Sequence, residues 1–384
     1  MRRSTIVMLV VGVLLLTASA ATRFLAYPAL DQLPANFDRT AVYSGTGSFL
    51  NPTALQDGDA ANALLLNQDV AVDRHVKVTS THDSTAVVED DITGKITNGT
   101  TVLSLDHTWA IDRKTMQAAP APAGVTVDPH QGITIAFPLD VKQQNYTYWD
   151  SNTQQAAPAK YERTESYSGR TAYVFTVAVN GQVKDPKLLA ALPTALPKSL
   201  IQVLAGLLPA AAQGRLQAAA PSLPAQIPLA YTSSNSITAW IDSQTGLPLN
   251  VEQKQTVTAG LSLAGTAVPL LPVLQLSIAN TPASVSQATT DAKNYAEALS
   301  AVGTWVPLIL LVLGLLFLAL AVLMQRRRRP ATPAAFTGPG GPDGDGGTGG
   351  WGGFGDAGGT GDAGGSAGSG ARAGASGPGR RTGT

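Results

Sequence analysis

Residues 305–324, WVPLILLVLGLLFLALAVLM, constrain this chain more than any other stretch. Twenty residues without a charge, at about 1.5 Å each in a helix, reach about 30 Å, the depth of a bilayer's hydrocarbon core. The buried core helix of a soluble protein is the alternative. It lacks the reasons this run offers: no polar stripe, and an abrupt stop at Arg326, Arg327, Arg328 and Arg329. A transmembrane helix is expected, with the four arginines on the cytoplasmic side and Trp305 at the opposite interface. Residues 27–303 then belong outside the cytoplasm.

Residues 1–26 open with Arg2 and Arg3, followed by an apolar run from Ile6 to Leu16 and then small residues. Ala18-Ser19-Ala20 fits a signal-peptidase site behind a short apolar core. The same run can also span as a retained helix with its arginines inside, which makes both ends cytoplasmic and the chain a two-pass hairpin.

Between these ends, residues 27–283 change texture to short alternating runs punctuated by turn residues, the mark of an antiparallel β domain. Val70, Val72, Val76 and Val78 share one strand face, with Asp73, His75 and Lys77 on the other. Asn98-Gly99 joins two further runs as a tight hairpin. Ile133, Ile135 and Phe137 predict a strand ended by Pro138, and Tyr173 to Val179 another ended by Asn180-Gly181. Residues 242–246, DSQTG, predict a hairpin closed by glycine. A curved antiparallel sheet, sandwich or open barrel follows, with strands mostly shorter than the ten residues of a barrel that spans a membrane.

Residues 187–230 break the pattern with Ala, Leu and Pro. Leu200, Leu204, Leu207 and Leu208 fall on one helical stripe with Ile201 and Val203 beside it. This short helical insertion reads as a layer over the sheet, as a mobile insertion, or as a lid over an apolar cavity, in which case those six residues contact the ligand. Residues 284–303 approach the membrane as a helix, 304–325 span it, and 326–384 form the basic stop and a glycine-rich tail expected to be disordered.

The chemistry-bearing residues are sparse. There is no cysteine, so disulfides, thiol catalysis and Cys-ligated metals are excluded. The net charge of +0 gives no basic field for nucleic acid. His75, His82, His107 and His130 show no metal-gripping spacing, and Glu89, Asp90 and Asp91 no calcium-loop spacing. No nucleophile elbow or phosphate-cradling loop occurs. No enzyme and no cofactor is expected. The partners expected are membrane lipid and an apolar envelope ligand, with the oligomeric state left open.

Three strand ends share an aromatic and an aspartate: Trp109-Ala110-Ile111-Asp112, Tyr148-Trp149-Asp150 and Trp240-Ile241-Asp242. With Arg23-Phe24-Leu25-Ala26-Tyr27-Pro28, Phe137-Pro138 and the final helix with its arginines, they make the chain resemble the actinobacterial PorA-type membrane protein family over nearly all its length to Arg329. The resemblance implies an N-terminal anchor, an extracytoplasmic domain and a C-terminal anchor, and it supplies no catalytic residues. By layout alone, two anchors around a β domain are also similar to class B scavenger receptors, and the Trp-Ile-Asp hairpin to half-barrel lipoprotein carriers. From this comes the expectation of a membrane-anchored envelope protein that binds or transfers a lipid or other apolar ligand. The alternatives are an interaction module without a cavity and a subunit of an oligomeric channel.

Overall fold

The computed structural model describes residues 3–51, 62–199, 224–263 and 266–326, with a few single positions between. All of them lie in one compact unit, Met1–Arg329. The leucine stripe from Leu200 to Leu208, Arg2, Arg327, Arg328, Arg329 and the glycine-rich tail fall outside the described residues.

Eleven strands form one antiparallel sheet that curls strongly into an open half-barrel: β1 (Asp38–Leu50), β2 (Leu64–His82), β3 (Thr85–Ile96), β4 (Thr101–Asp112), β5 (Tyr146–Asp150), β6 (Gln155–Tyr167), β7 (Arg170–Gln182), β8 (Ala195–Pro197), β9 (Gln226–Asp242), β10 (Pro248–Leu263) and β11 (Thr266–Asn280). Their order is β4-β3-β2-β1-β11-β10-β9-β7-β6-β5, with β8 paired to β9. Sequence neighbours pair as meanders, and one long connection brings the last strand beside the first, where Tyr43 faces Asn280. Among the described residues β4 and β5 remain the two edges, so the sheet does not close on itself.

The strands are longer than the sequence suggests, reaching 19 residues in β2 and 17 in β9. Polar residues that look like turn material, such as Ser233 and Asn235, sit inside them, because the concave face tolerates polar side chains. Asn180-Gly181 does not end its strand, since β7 runs on to Gln182. A side chain at Gly181 would meet the Gln155 amide at 2.3 Å, so glycine is there for close approach. Ile133, Ile135 and Phe137 do not form a strand either. Their segment is an irregular plug, held by Ile133 N–H to Thr147 O at 2.8 Å and Phe137 N–H to Gly246 O at 3.2 Å. Met116, Ile133, Phe137 and Val141 are buried by it in the hollow of the sheet. The two glycine turns are as expected, with Gly99 at φ +83° and Gly246 at φ +68°.

Among the described residues five α-helices are α1 (Arg3–Ala21), α2 (Tyr27–Leu30), α3 (Pro186–Ala190), α4 (Pro282–Ser300) and α5 (Val306–Arg326). A π-helical turn, Thr22–Ala26, joins α1 to α2, and another, Ala301–Trp305, joins α4 to α5, so the chain forms two continuous helical rods, Arg3–Leu30 and Pro282–Arg326. Gly303 lies inside the second rod, where the Tyr27 ring presses at 2.5 Å from any added Cβ. Thr281 caps α4, its side chain accepting from Ser284 N–H at 3.2 Å.

The two rods pack antiparallel. Gly12 faces Gly314, and Ser19 Oγ donates to the Pro307 carbonyl at 2.7 Å. Small residues that let backbones approach, with one polar clasp, are how helices associate where the hydrophobic effect is absent. A Cβ on Gly314 would come within 2.9 Å of Leu16, so Gly314→Leu is expected to wedge the rods apart at a cost of about 1–3 kcal/mol. Trypsin cleavage after Arg23, in the detergent-solubilised protein, should then be faster than in wild type; unchanged cleavage would mean that the rods do not need this contact.

Candidate functional site

Strand parity places charges in the hollow of the sheet. Along β2, Val70, Val72, Arg74 and Val76 point to one face, and along β3, Val88, Asp90 and Ile92 do so. The register sets Val76 opposite Asp90 and Arg74 opposite Ile92, which makes Arg74 and Asp90 diagonal neighbours. Arg74 Nε and Nη2 each donate to the Asp90 carboxylate at 2.7 Å, and Nη2 also reaches the Thr134 carbonyl of the plug at 3.2 Å. Trp109 Nε1 donates to the same carboxylate at 3.2 Å. Burial opposes both charges, yet the pairing wins: it raises the Arg74 pKa and holds Asp90 below the usual carboxylate range. Tyr43 and Tyr148 stand beside the pair, and burial pushes both phenols up, which keeps them neutral donors.

A second polar group faces the pair across the hollow. Asp150, buried, accepts from Thr153 N–H at 3.0 Å, Thr153 Oγ1 at 2.7 Å and Asn235 Nδ2 at 2.9 Å. Gln253 Nε2 donates to Asn235 Oδ1 at 3.1 Å. Between the two groups lies a cavity of about 150 Å³. Thr134, Trp149 and Asn152 line it, and their Oγ1, Nε1 and Oδ1 atoms are buried without a hydrogen-bond partner. Buried polar atoms left open cost stability, so a cavity that carries three of them is suited to something that satisfies them.

At the end of the half-barrel away from the rods, His107 and Asp185 form a buried pair at 3.2 Å, with the His107 ring stacked on Trp109. Asp185 also caps α3 by accepting from Lys187 N–H. Lys187 bonds the Asp106 carbonyl and, at 2.9 Å, Asp128. The start of the 187–230 insertion is thus latched to β4.

Two more cavities lead toward the rods. One of about 70 Å³ shares Tyr43, Arg74 and Val251 with the central cavity, and shares Phe37, Arg39 and Leu247 with a third of about 350 Å³. Ala136 lines all three. The third is walled by the segment after α2, by the plug and by Gln287, Asp291 and Tyr295 of α4. Tyr295 Oη lies 2.7 Å from the Leu30 carbonyl and 3.1 Å from that of Gln32, which fixes that wall.

The residues singled out from sequence fare unevenly. Trp305 is exposed, and Arg3 and Arg326 stand at the outer ends of the rods. His75 is a surface residue bound to Asp38 at 2.8 Å, whereas His107 is a satisfied core residue. Asp112, Asp150 and Asp242 each accept from a backbone N–H of the turn that follows, and Asp242 is in addition fully buried against Arg170, which donates to both its oxygens. Among the described residues no three His, Asp or Glu side chains converge as a metal site would require. Sequence reading passed over Arg39, Arg74 and Ala136, and took Asp90 only as one of an acidic run. For Arg74 and Asp90 the signal was present, since each shares the parity of buried valines.

A family model for Porin PorA matches residues 5–323. The chain belongs to the Porin PorA family. This PorA protein is a membrane protein: among the described residues every exposed large hydrophobic except Leu66 lies on the two helical rods. No curated protein matches the chain. Among solved structures, a MaoC domain protein dehydratase from Chloroflexus aurantiacus is 14% identical and is aligned over 70% of this chain and 80% of its own, with a TM-score of 0.13.

Proposed function

We propose that this PorA protein is an envelope carrier whose half-barrel binds an amphiphilic, lipid-class molecule and passes it between the membrane and the envelope. The observation that carries the reading is the row of three adjoining cavities running from the foot of the rods to the hollow of the sheet. Apolar walls with a few fixed polar groups are the usual make-up of small-molecule sites. In this reading both rods cross the membrane, the two termini are cytoplasmic, and residues 27–303 lie outside. The work is binding and not catalysis: Arg74, Asp90, Asp150 and His107 are each tied to a neighbouring side chain, which suits them to shape a site more than to move protons.

Native mass spectrometry of the full-length protein, released from nonionic detergent, tests this. A lipid mass retained at about one per chain is expected, and fluorescent fatty acid should exchange with it. Bare protein that takes up no lipid would overturn the reading in favour of an interaction module. Steady conductance in planar bilayers would favour a channel.

A further inference from the structure

The 350 Å³ cavity at the foot of the rods has an electrostatic character the central cavity lacks. Arg39 enters it from β1 with only 15% of its side chain exposed. Its nearest carboxylate, Asp291, stands 3.9 Å away, beyond hydrogen-bond reach, and is itself 41% exposed at the rim. Among the described residues nothing hydrogen-bonds the Arg39 guanidinium. Arg113 reaches the same cavity and spends one N–H on the Leu33 carbonyl at 2.8 Å, with no carboxylate partner among the described residues. Asp38, the other acid in the wall, turns outward to His75. Two guanidiniums with free donors therefore face a space lined in part by Phe37, Met116, Leu139 and Leu247 and in part by the polar side chains of Asn36, Thr245, Gln287 and Tyr295, with Asp38 and Asp291 as its acids. A mostly buried cation without a hydrogen-bonded partner is costly, and burial lowers the Arg39 pKa accordingly. Guanidinium forks match the oxygens of phosphate and carboxylate groups.

We propose that Arg39 and Arg113 form an anion site that takes the phosphate or carboxylate headgroup of an amphiphile, whose apolar part then runs past Ala136 toward the hollow. This deepens the carrier reading and rests on it for the source of the anion. The two rods meet the sheet at this cavity, so a headgroup at the membrane surface can reach it without crossing the half-barrel.

The test uses full-length protein in nonionic detergent with fluorescent phosphatidylglycerol, fluorescent diacylglycerol and inorganic phosphate as probes. Wild type is expected to bind phosphatidylglycerol at least about tenfold tighter than diacylglycerol, a difference of about 1.4 kcal/mol. Arg39→Gln should erase that preference and leave diacylglycerol binding unchanged, and Arg39→Lys should keep part of it. Arg113→Gln is the second variant should Arg39→Gln fail to fold. Equal binding of the two lipids by wild type would overturn the anion site and leave the carrier intact. Arg39-dependent phosphate binding with no lipid binding would uphold the site as one for a free anion and overturn the carrier. Binding of none of the probes would overturn both.

Discussion

Asp90→Leu is expected to destabilise the half-barrel by about 3–5 kcal/mol, because it leaves the Arg74 guanidinium in the hollow without its carboxylate. For a domain of this size that lowers the thermal midpoint by roughly 10 °C. The Arg74 side chain is 26% exposed and Asp90 only 4%, so water can replace little of what the carboxylate gives. The loss also frees Trp109 Nε1, which has no other partner. Arg74→Met combined with Asp90→Leu should recover most of the deficit, since an apolar pair of similar bulk removes both charges together. Urea denaturation of the three proteins measures this. A double mutant no better than Asp90→Leu alone would mean that the Arg74 bond to the Thr134 carbonyl, and so the plug, is the larger contribution.

The same pair sets an acid limit. Arg74 holds the Asp90 pKa below its unfolded value of about 3.9, so its contribution is complete above that pH and is lost as pH falls through the depressed folded-state value. Wild type should weaken on acidification below about pH 4, and Asp90→Asn should flatten that part of the curve.

How much of this was legible in the sequence depended on the range of the contact. The alternation through Val70 to Val78 and the glycine turns at Gly99 and Gly246 are local, and they gave strands and hairpins correctly. The half-barrel itself was visible only as a class, since curvature comes from register over long strands. Ile133 to Phe137 alternate like a strand, yet find no regular partner because the hollow that receives them is already walled by β3, β4, β7 and β9. Arg74 and Asp90 lie 16 residues apart and meet through the β2–β3 register. Parity exposed each as an inward charge; only the pairing explained why two opposite charges are tolerated there. Arg39 gave no such signal, because its environment is made by α4 and by the plug, both more than 70 residues away. The leucine stripe drew attention by its composition, while the adjoining cavities come from β1, β2 and the plug, which composition does not mark.

Ala136→Trp should separate a route from a set of unrelated voids. Among the described residues Ala136 alone borders all three cavities, and the smallest of them, about 70 Å³, shares walls with both of the others and is the neck of the proposed route. An indole placed there fills the neck, and the 350 Å³ cavity gives the ring room that a packed core would deny, so the folding cost should stay near the low end of the 1–3 kcal/mol typical of overpacking. If the amphiphile's apolar part threads from the foot of the rods to the hollow, native mass spectrometry should find retained lipid reduced about tenfold or more, equivalent to at least about 1.4 kcal/mol. Ala136→Ser, which adds a single oxygen and little bulk, should retain it. Inorganic phosphate binding should survive the tryptophan through Arg113, which borders the foot cavity and not the neck, whereas Arg39 borders both. Full lipid retention by Ala136→Trp would place the ligand elsewhere on the molecule, and loss of phosphate binding along with lipid would mean that the foot cavity and the neck respond as one site, not as two stations on a path.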